Sequence, residues 1–213
     1  MQNITTLLFD IDGTVLNTDE FILQATEYAL ATTGFPVPDR SVITKTVGIP
    51  FPEYYVILSG SEDKEKIDAL INAHRDFQYK NYHLAKLFPH ALETLKTLKE
   101  KGYKLAAVTS RSKKTSLQTL VDAQILDLFD TVISFEDAHA RKPDPAPLFQ
   151  ALENLKEIPG NGVMIGDSHL DIEAGKNAKT KTIRAAYGFN TDHLHDPEPD
   201  FIVNDISELL RIL

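Results

Sequence analysis

Leu7-Leu8-Phe9-Asp10-Ile11-Asp12-Gly13-Thr14 is the stretch on which the reading of this chain turns. An apolar run delivers two carboxylates, one residue apart, into a glycine turn. Short apolar runs bounded by turn signals predict buried strands. Unpaired carboxylates resist burial, so two of them at the end of such a strand need compensation. A divalent cation is the expected one, since hard oxygen ligands suit magnesium. The plainer alternative is an Asp-rich turn in which Asp12 or Thr14 caps a helix.

The rest of the chain narrows the choice. With 213 residues, 42% of them apolar, it has enough length and apolar content for a sizeable core. The absence of cysteine removes disulfides, thiol nucleophiles and Cys-ligated zinc, which fits a reducing cytoplasm. Met1-Gln2-Asn3-Ile4 lacks the basic start and apolar core of a signal peptide. No apolar stretch is long enough to cross a bilayer, so a cytoplasmic protein with no membrane partner is expected. A net charge of −9 argues against a nucleic-acid surface. It also leaves any anionic substrate to be drawn by local positive charge or by a metal.

Strand-like and helix-like segments alternate through the second half. Strands are predicted over 103–109, 131–135, 162–166, 181–186 and 201–203. Helices are predicted over 89–101, 112–123, 146–156, 168–178 and 205–213. Leu92, Leu95 and Leu98 share one face of the first of these, which Gly102 closes. Such alternation predicts a parallel sheet covered on both faces, an α/β doubly wound, Rossmann-like core. The block 17–84 differs. It carries helical patterns over 18–33, 39–46, 52–59 and 62–82 and no convincing strand. We expect an inserted all-helical domain at 17–84 within a core made of 1–16 and 85–213, with hinges near Leu16-Asn17 and Leu84 to Leu87.

In open α/β sheets, ligands bind beyond the carboxyl ends of the strands. Asp10 and Asp12, Thr109 and Ser110, and Asp167 terminate predicted strands and would meet at one edge. Lys142 sits just ahead of the Pro143-Asp144-Pro145 helix start. Carboxylates, hydroxyls and an ammonium converging on one place suit phosphoryl transfer: cations for the charge, hydroxyls for the phosphoryl oxygens, a carboxylate nucleophile. Asp171 lies four residues beyond Asp167 and reads equally as a site residue or as a helix N-terminal charge. Ser168 reads first as a helix cap. Arg111, Lys113 and Lys114 read as a solvated first turn, and His169 as a surface residue.

The order Asp-x-Asp-Gly-Thr, a strand ending in Thr109-Ser110, Arg141-Lys142-Pro143-Asp144-Pro145, then Gly166-Asp167-Ser168-His169-Leu170-Asp171 resembles the haloacid dehalogenase superfamily. The helical insertion resembles the cap of its phosphoglycolate phosphatase-like branch. The resemblance implies that Asp10 attacks phosphorus and that Asp12 is acid and base. It implies that Gly13 lets the backbone approach the phosphate. Thr109 and Ser110 would bind phosphoryl oxygens, and Lys142 would neutralise them. Magnesium would be held by Asp10, the Asp12 carbonyl and Asp167, supported by Asp171 and Ser168. The cap loop, with Gly48, Phe51 and Tyr54, would select the substrate, unless its aromatics, Tyr55 among them, are cap core.

Within that superfamily, Asp12 argues against a dehalogenase. Ile22 stands where a β-phosphoglucomutase-like isomerase carries a cap histidine, and the loop 47–52 lacks that family's arginine. Phosphonate hydrolysis needs a cap lysine in an apolar pocket, and Lys45 has no such surroundings in the sequence. Asn17-Thr18 departs from the Asp-Ser or Asp-Thr frequent in relatives. The expectation is a magnesium-dependent phosphatase acting on a small phosphorylated metabolite, as a monomer or weak homodimer. Phosphoglycolate ranks first, inorganic pyrophosphate second, and sugar phosphates or nucleotides after them. A non-catalytic scaffold is the rival from another class.

Overall fold

The computed structural model describes residues 3–47, 49–189 and 195–213. In chain order the elements are β1 (Thr6–Phe9), β2 (Leu16–Asn17), α1 (Asp19–Thr32), α2 (Arg40–Thr46), α3 (Glu53–Ser59), α4 (Lys64–Lys80) and β3 (Lys86–Leu87). There follow α5 (Ala91–Glu100), β4 (Lys104–Val108), α6 (Lys113–Asp122), β5 (Thr131–Ile133), α7 (Ala146–Leu155), β6 (Gly162–Gly166), α8 (His169–Ala178), β7 (Lys181–Ala185), β8 (Phe201–Val203) and α9 (Leu209–Ile212).

Six strands form one sheet in the order β5-β4-β1-β6-β7-β8. Every pairing in it is parallel. β1 sits between β4 and β6, in register Phe9 to Ala107 and Phe9 to Ile165. It is buried along its whole length, as a parallel strand covered on both faces must be. After β5 the chain crosses to the other side of β1, so the strand order reverses there. This is the place where α/β sheets bind ligands. Beneath it, Leu8, Val108 and Met164 from the sheet pack with Leu148, Leu152 and Ala174 from α7 and α8.

Two strands escaped the sequence reading. Leu16 and Asn17 pair antiparallel with Leu87 and Lys86 in a separate ribbon. Two-residue strands carry no periodicity to detect. The helix expected over 205–213 is also corrected: it divides into a 3-10 turn, Ile206–Glu208, and the short α9. Asp205 does cap the start, accepting from the Ser207 N–H at 2.8 Å.

By density of contacts the chain divides into Met1–Asn17 with Lys86–Leu213, and Thr18–Ala85. The second unit is helical and has its own core, in which Leu23, Leu30, Ile43, Tyr54, Tyr55 and Leu70 are buried. Asp63 caps its longest helix, accepting from the Glu65 and Lys66 N–H groups. No described helix is long and apolar enough to cross a membrane.

Leu8 is fully buried at the centre of the sheet. Leu8→Ala should therefore cost about 3 kcal/mol in urea unfolding; a loss below about 1 kcal/mol would place Leu8 outside a packed core.

Candidate active site

Three adjacent strands end at one edge. β1 hands the chain to Asp10, whose N–H donates to the Ile165 carbonyl at 2.8 Å. β4 leads to Thr109, whose N–H donates to the Ile133 carbonyl at 2.9 Å. β6 leads to Asp167. Sheet hydrogen bonding thus runs into the polar residues themselves and fixes where their side chains start.

Lys142 ties these ends together from the loop before α7. Its ammonium donates to Asp10 Oδ1 at 2.5 Å, Asp171 Oδ1 at 2.6 Å and the Val108 carbonyl at 3.1 Å. An ammonium has three donors, and all three are used. Its side chain is 5% exposed. Burial alone would push the ammonium down, but Asp10 and Asp171 outweigh it and hold Lys142 above its ordinary value. Asp10 is raised well above the usual carboxylate range. Burial is the main cause, and Asp171, Asp167 and Asp12 add to it against the opposing charge of Lys142.

Asp171 contributes both to the start of α8 and to the Lys142 clamp. Its Oδ2 accepts from the Ser168 N–H at 3.0 Å and the Ser168 hydroxyl at 2.6 Å, closing a capping box at the start of α8. Its other oxygen takes Lys142. Asp167, 2% exposed, accepts from the Phe189 N–H at 2.9 Å. Glycine is required around both carboxylates. A Cβ on Gly13 or Gly188 would overlap Asp167, and one on Gly166 would overlap Asp171. Gly13 also has φ +78°, a conformation that L side chains rarely adopt.

Asp10, Asp167 and Asp171 bring carboxylate oxygens within 4.8 Å of one another, all buried. The donors are hard oxygens, and burial with mutual repulsion leaves the cluster short of positive charge. Both features fit a hard divalent cation. Asp171 is committed to Lys142 and Ser168, which makes Asp10 and Asp167 the candidate ligands.

Asp12, by contrast, is half-buried and pairs with Arg111, Nε to Oδ2 at 2.9 Å. Arg111 is thus no solvated first-turn residue. Thr109 is buried, and its hydroxyl oxygen accepts from the Arg111 N–H at 3.2 Å. Ser110 is exposed, as is His169. Arg184 was missed in sequence. It is buried on β7 as the register partner of Gly166, where burial pulls its guanidinium down while Asp167 and Asp171 favour its charge. A lone arginine in a strand pattern gives no sign of this neighbourhood; only the β6–β7 pairing reveals it.

In the helical unit, Tyr54 and Tyr55 are buried side chains of its core. The Tyr54 hydroxyl lies 2.7 Å from that of Thr26, and the Tyr55 hydroxyl 2.7 Å from His74 Nδ1. Of the two readings open for these aromatics, the buried ring and internally bonded hydroxyl of Tyr54 fit cap core. Phe51 is half-buried and stacks on Tyr55. Gly48 lies outside the described residues. Lys45 is exposed, without the apolar pocket that a Schiff-base lysine needs.

Residues 7–185 match the haloacid dehalogenase-like hydrolase family. The pyrophosphatase PpaX of Anoxybacillus flavithermus is 35% identical over 100% of this chain and 98% of its own. A crystal structure from Haemophilus somnus, described as a predicted phosphoglycolate phosphatase, is 24% identical with a TM-score of 0.94, covering 100% of this chain and 99% of that one. A predicted phosphatase from Clostridium acetobutylicum is 25% identical with a TM-score of 0.85, covering 98% and 97%.

The raised Asp10 carboxyl sets the sign of a stability test. The folded state favours its protonated form, so its contribution is favourable below the unfolded carboxylate range and is lost as pH rises through the raised value. Asp10→Asn should therefore stabilise the metal-free protein near neutral pH by about 1 kcal/mol, with the gain shrinking on acidification. Thermal unfolding across pH checks this; a less stable variant at neutral pH would contradict it.

Proposed function

The chain belongs to the haloacid dehalogenase-like hydrolase family, and from that premise we propose that it is a magnesium-dependent phosphatase working through an aspartyl-phosphate on Asp10. One observation carries the reading: a buried carboxylate at the central strand's end, clamped by a buried lysine and grouped with two further carboxylates.

In this reading Asp10 attacks phosphorus, and the bond from phosphorus to the leaving oxygen breaks. Asp12 gives that oxygen a proton. Asp12 then takes a proton from the water that hydrolyses the aspartyl-phosphate, which frees phosphate and restores Asp10. Splitting one displacement into two lowers each barrier, and one residue of intermediate exposure serves as acid and then as base. Lys142 orients the nucleophile and offsets phosphoryl charge. Thr109 and Ser110 supply hydrogen bonds to phosphoryl oxygens, and Gly13 keeps the turn clear of side-chain bulk. Magnesium would be held by Asp10, the Asp12 carbonyl and Asp167, and it would supply positive charge to the phosphoryl oxygens. Asp171 and Ser168 hold Lys142 in line.

The substrate we propose is a small phosphorylated metabolite. The branch resemblance ranks phosphoglycolate first. The name of a relative 35% identical along the whole chain moves inorganic pyrophosphate ahead of it. We assign substrate selection to the helical unit, with Phe51 as its candidate residue. A monomer or weak homodimer in the cytoplasm completes the reading.

The test is magnesium-dependent phosphate release from pyrophosphate, phosphoglycolate, sugar phosphates and nucleotides. Asp10→Asn should lose about 10³-fold or more in kcat, and Asp12→Asn about 10²-fold to 10⁴-fold. Retained turnover in Asp10→Asn would remove Asp10 as nucleophile.

A further inference from the structure

We propose that Arg111 is a specificity-determining residue that selects substrates whose leaving group carries a negative charge. The inference rests on the phosphatase reading above and deepens it.

Arg111 is held from several sides. Its Nε pairs with Asp12 Oδ2 at 2.9 Å. Its Nη1 donates to Thr119 Oγ1 at 3.1 Å, while that hydroxyl donates to the Thr115 carbonyl at 2.7 Å. Its backbone N–H donates to Thr109 Oγ1 at 3.2 Å, and its carbonyl accepts from the Phe135 N–H at 2.8 Å. The side chain is 12% exposed, whereas that of Lys113, two residues on, is 57% exposed. A solvated first-turn cation resembles Lys113. Arg111 is instead set rigidly against the residue proposed to meet the leaving oxygen.

Position decides what that charge does. Attacking and leaving oxygens lie roughly in line across a transferred phosphoryl group. Lys142 stands on the nucleophile's side, its three donors taken by Asp10, Asp171 and Val108. Arg111 stands on the side of Asp12. A neutral alcohol gains little from a fixed cation there. A departing phosphate or a carboxylate-bearing alcohol gains an electrostatic partner, and a guanidinium suits either planar or tetrahedral oxyanions. The substrate class is therefore a diphosphate or a phosphorylated hydroxy acid. What these two share is an anion beyond the bond that breaks.

The experiment compares kcat/KM for inorganic pyrophosphate, 2-phosphoglycolate and 2-hydroxyethyl phosphate, which is phosphoglycolate with its carboxylate replaced by a neutral alcohol. The wild-type protein should prefer at least one anionic substrate over the neutral one by about tenfold or more; which one identifies the anion as phosphate or carboxylate. Arg111→Gln should reduce that preference about tenfold, and Arg111→Lys should retain part of it. Thr119→Val removes one anchor of the guanidinium with little change of shape, so it tests the idea independently should Arg111→Gln fold poorly. It too should lower the preference. Equal losses on all three substrates would make Arg111 a support for Asp12 alone and overturn the inference while leaving the phosphatase reading intact. So would the absence of any wild-type preference. No wild-type turnover of any phosphate compound would overturn both.

Discussion

The contact on which the site depends is the buried ammonium of Lys142 between Asp10 and Asp171. Each carboxylate would be costly if buried alone, Asp10 at the end of β1 and Asp171 in the first turn of α8. One lysine answers two of them, and the Val108 carbonyl takes its third proton. Removing Lys142 would leave both carboxylates buried without a counter-charge, and breaking a buried pair in that way typically costs about 3 to 5 kcal/mol. The neighbouring architecture follows from this clamp. β1 and β4 must end side by side, α8 must begin with Asp171 in its first turn, and the loop before α7 must return to the sheet edge. The capping box of Ser168 and Asp171 makes a helix start and a lysine anchor out of the same side chain.

The clamp is incomplete as charge balance. Asp167 and Asp12 lie in the same neighbourhood, and Asp10 stays raised despite the lysine beside it. The glycines at 13, 166 and 188 let backbone and carboxylates crowd where a Cβ would intrude. Crowding of like charges is unfavourable until a cation or substrate chemistry uses it, which is the stability cost commonly found at catalytic sites. Arg111 completes the division: one cation pairs with the proposed nucleophile, Asp10, and another with the proposed acid and base, Asp12.

The sequence made the strand-ending residues readable because a parallel sheet sends all its carboxyl ends to one edge. Asp10, Thr109 and Asp167 each follow an apolar run, and that local pattern suffices to bring them together. Lys142 entered through its order in the chain and the family resemblance, since nothing in its immediate neighbours tells where its ammonium lies. Arg111 reads as a surface cation because it stands beside Lys113 and Lys114 at the start of a helix; it actually precedes the Ser112 cap, and only the close approach of the β1 and β4 ends pairs it with Asp12. The ribbon of Leu16–Asn17 with Lys86–Leu87 is too short to leave a pattern. For Tyr54 the spacing leaves core and pocket lining equally open, because helical periodicity marks an apolar face without saying what that face meets.

Direct trapping decides whether Asp10 is the nucleophile. The protein would be acid-quenched during turnover of pyrophosphate or 4-nitrophenyl phosphate, reduced with borohydride and mapped by peptide mass spectrometry. An aspartyl-phosphate is reduced to homoserine, and homoserine is expected in place of Asp10 and at no other position. Turnover with Asp10 unmodified, or with the label at Asp12 or Asp167, would contradict it.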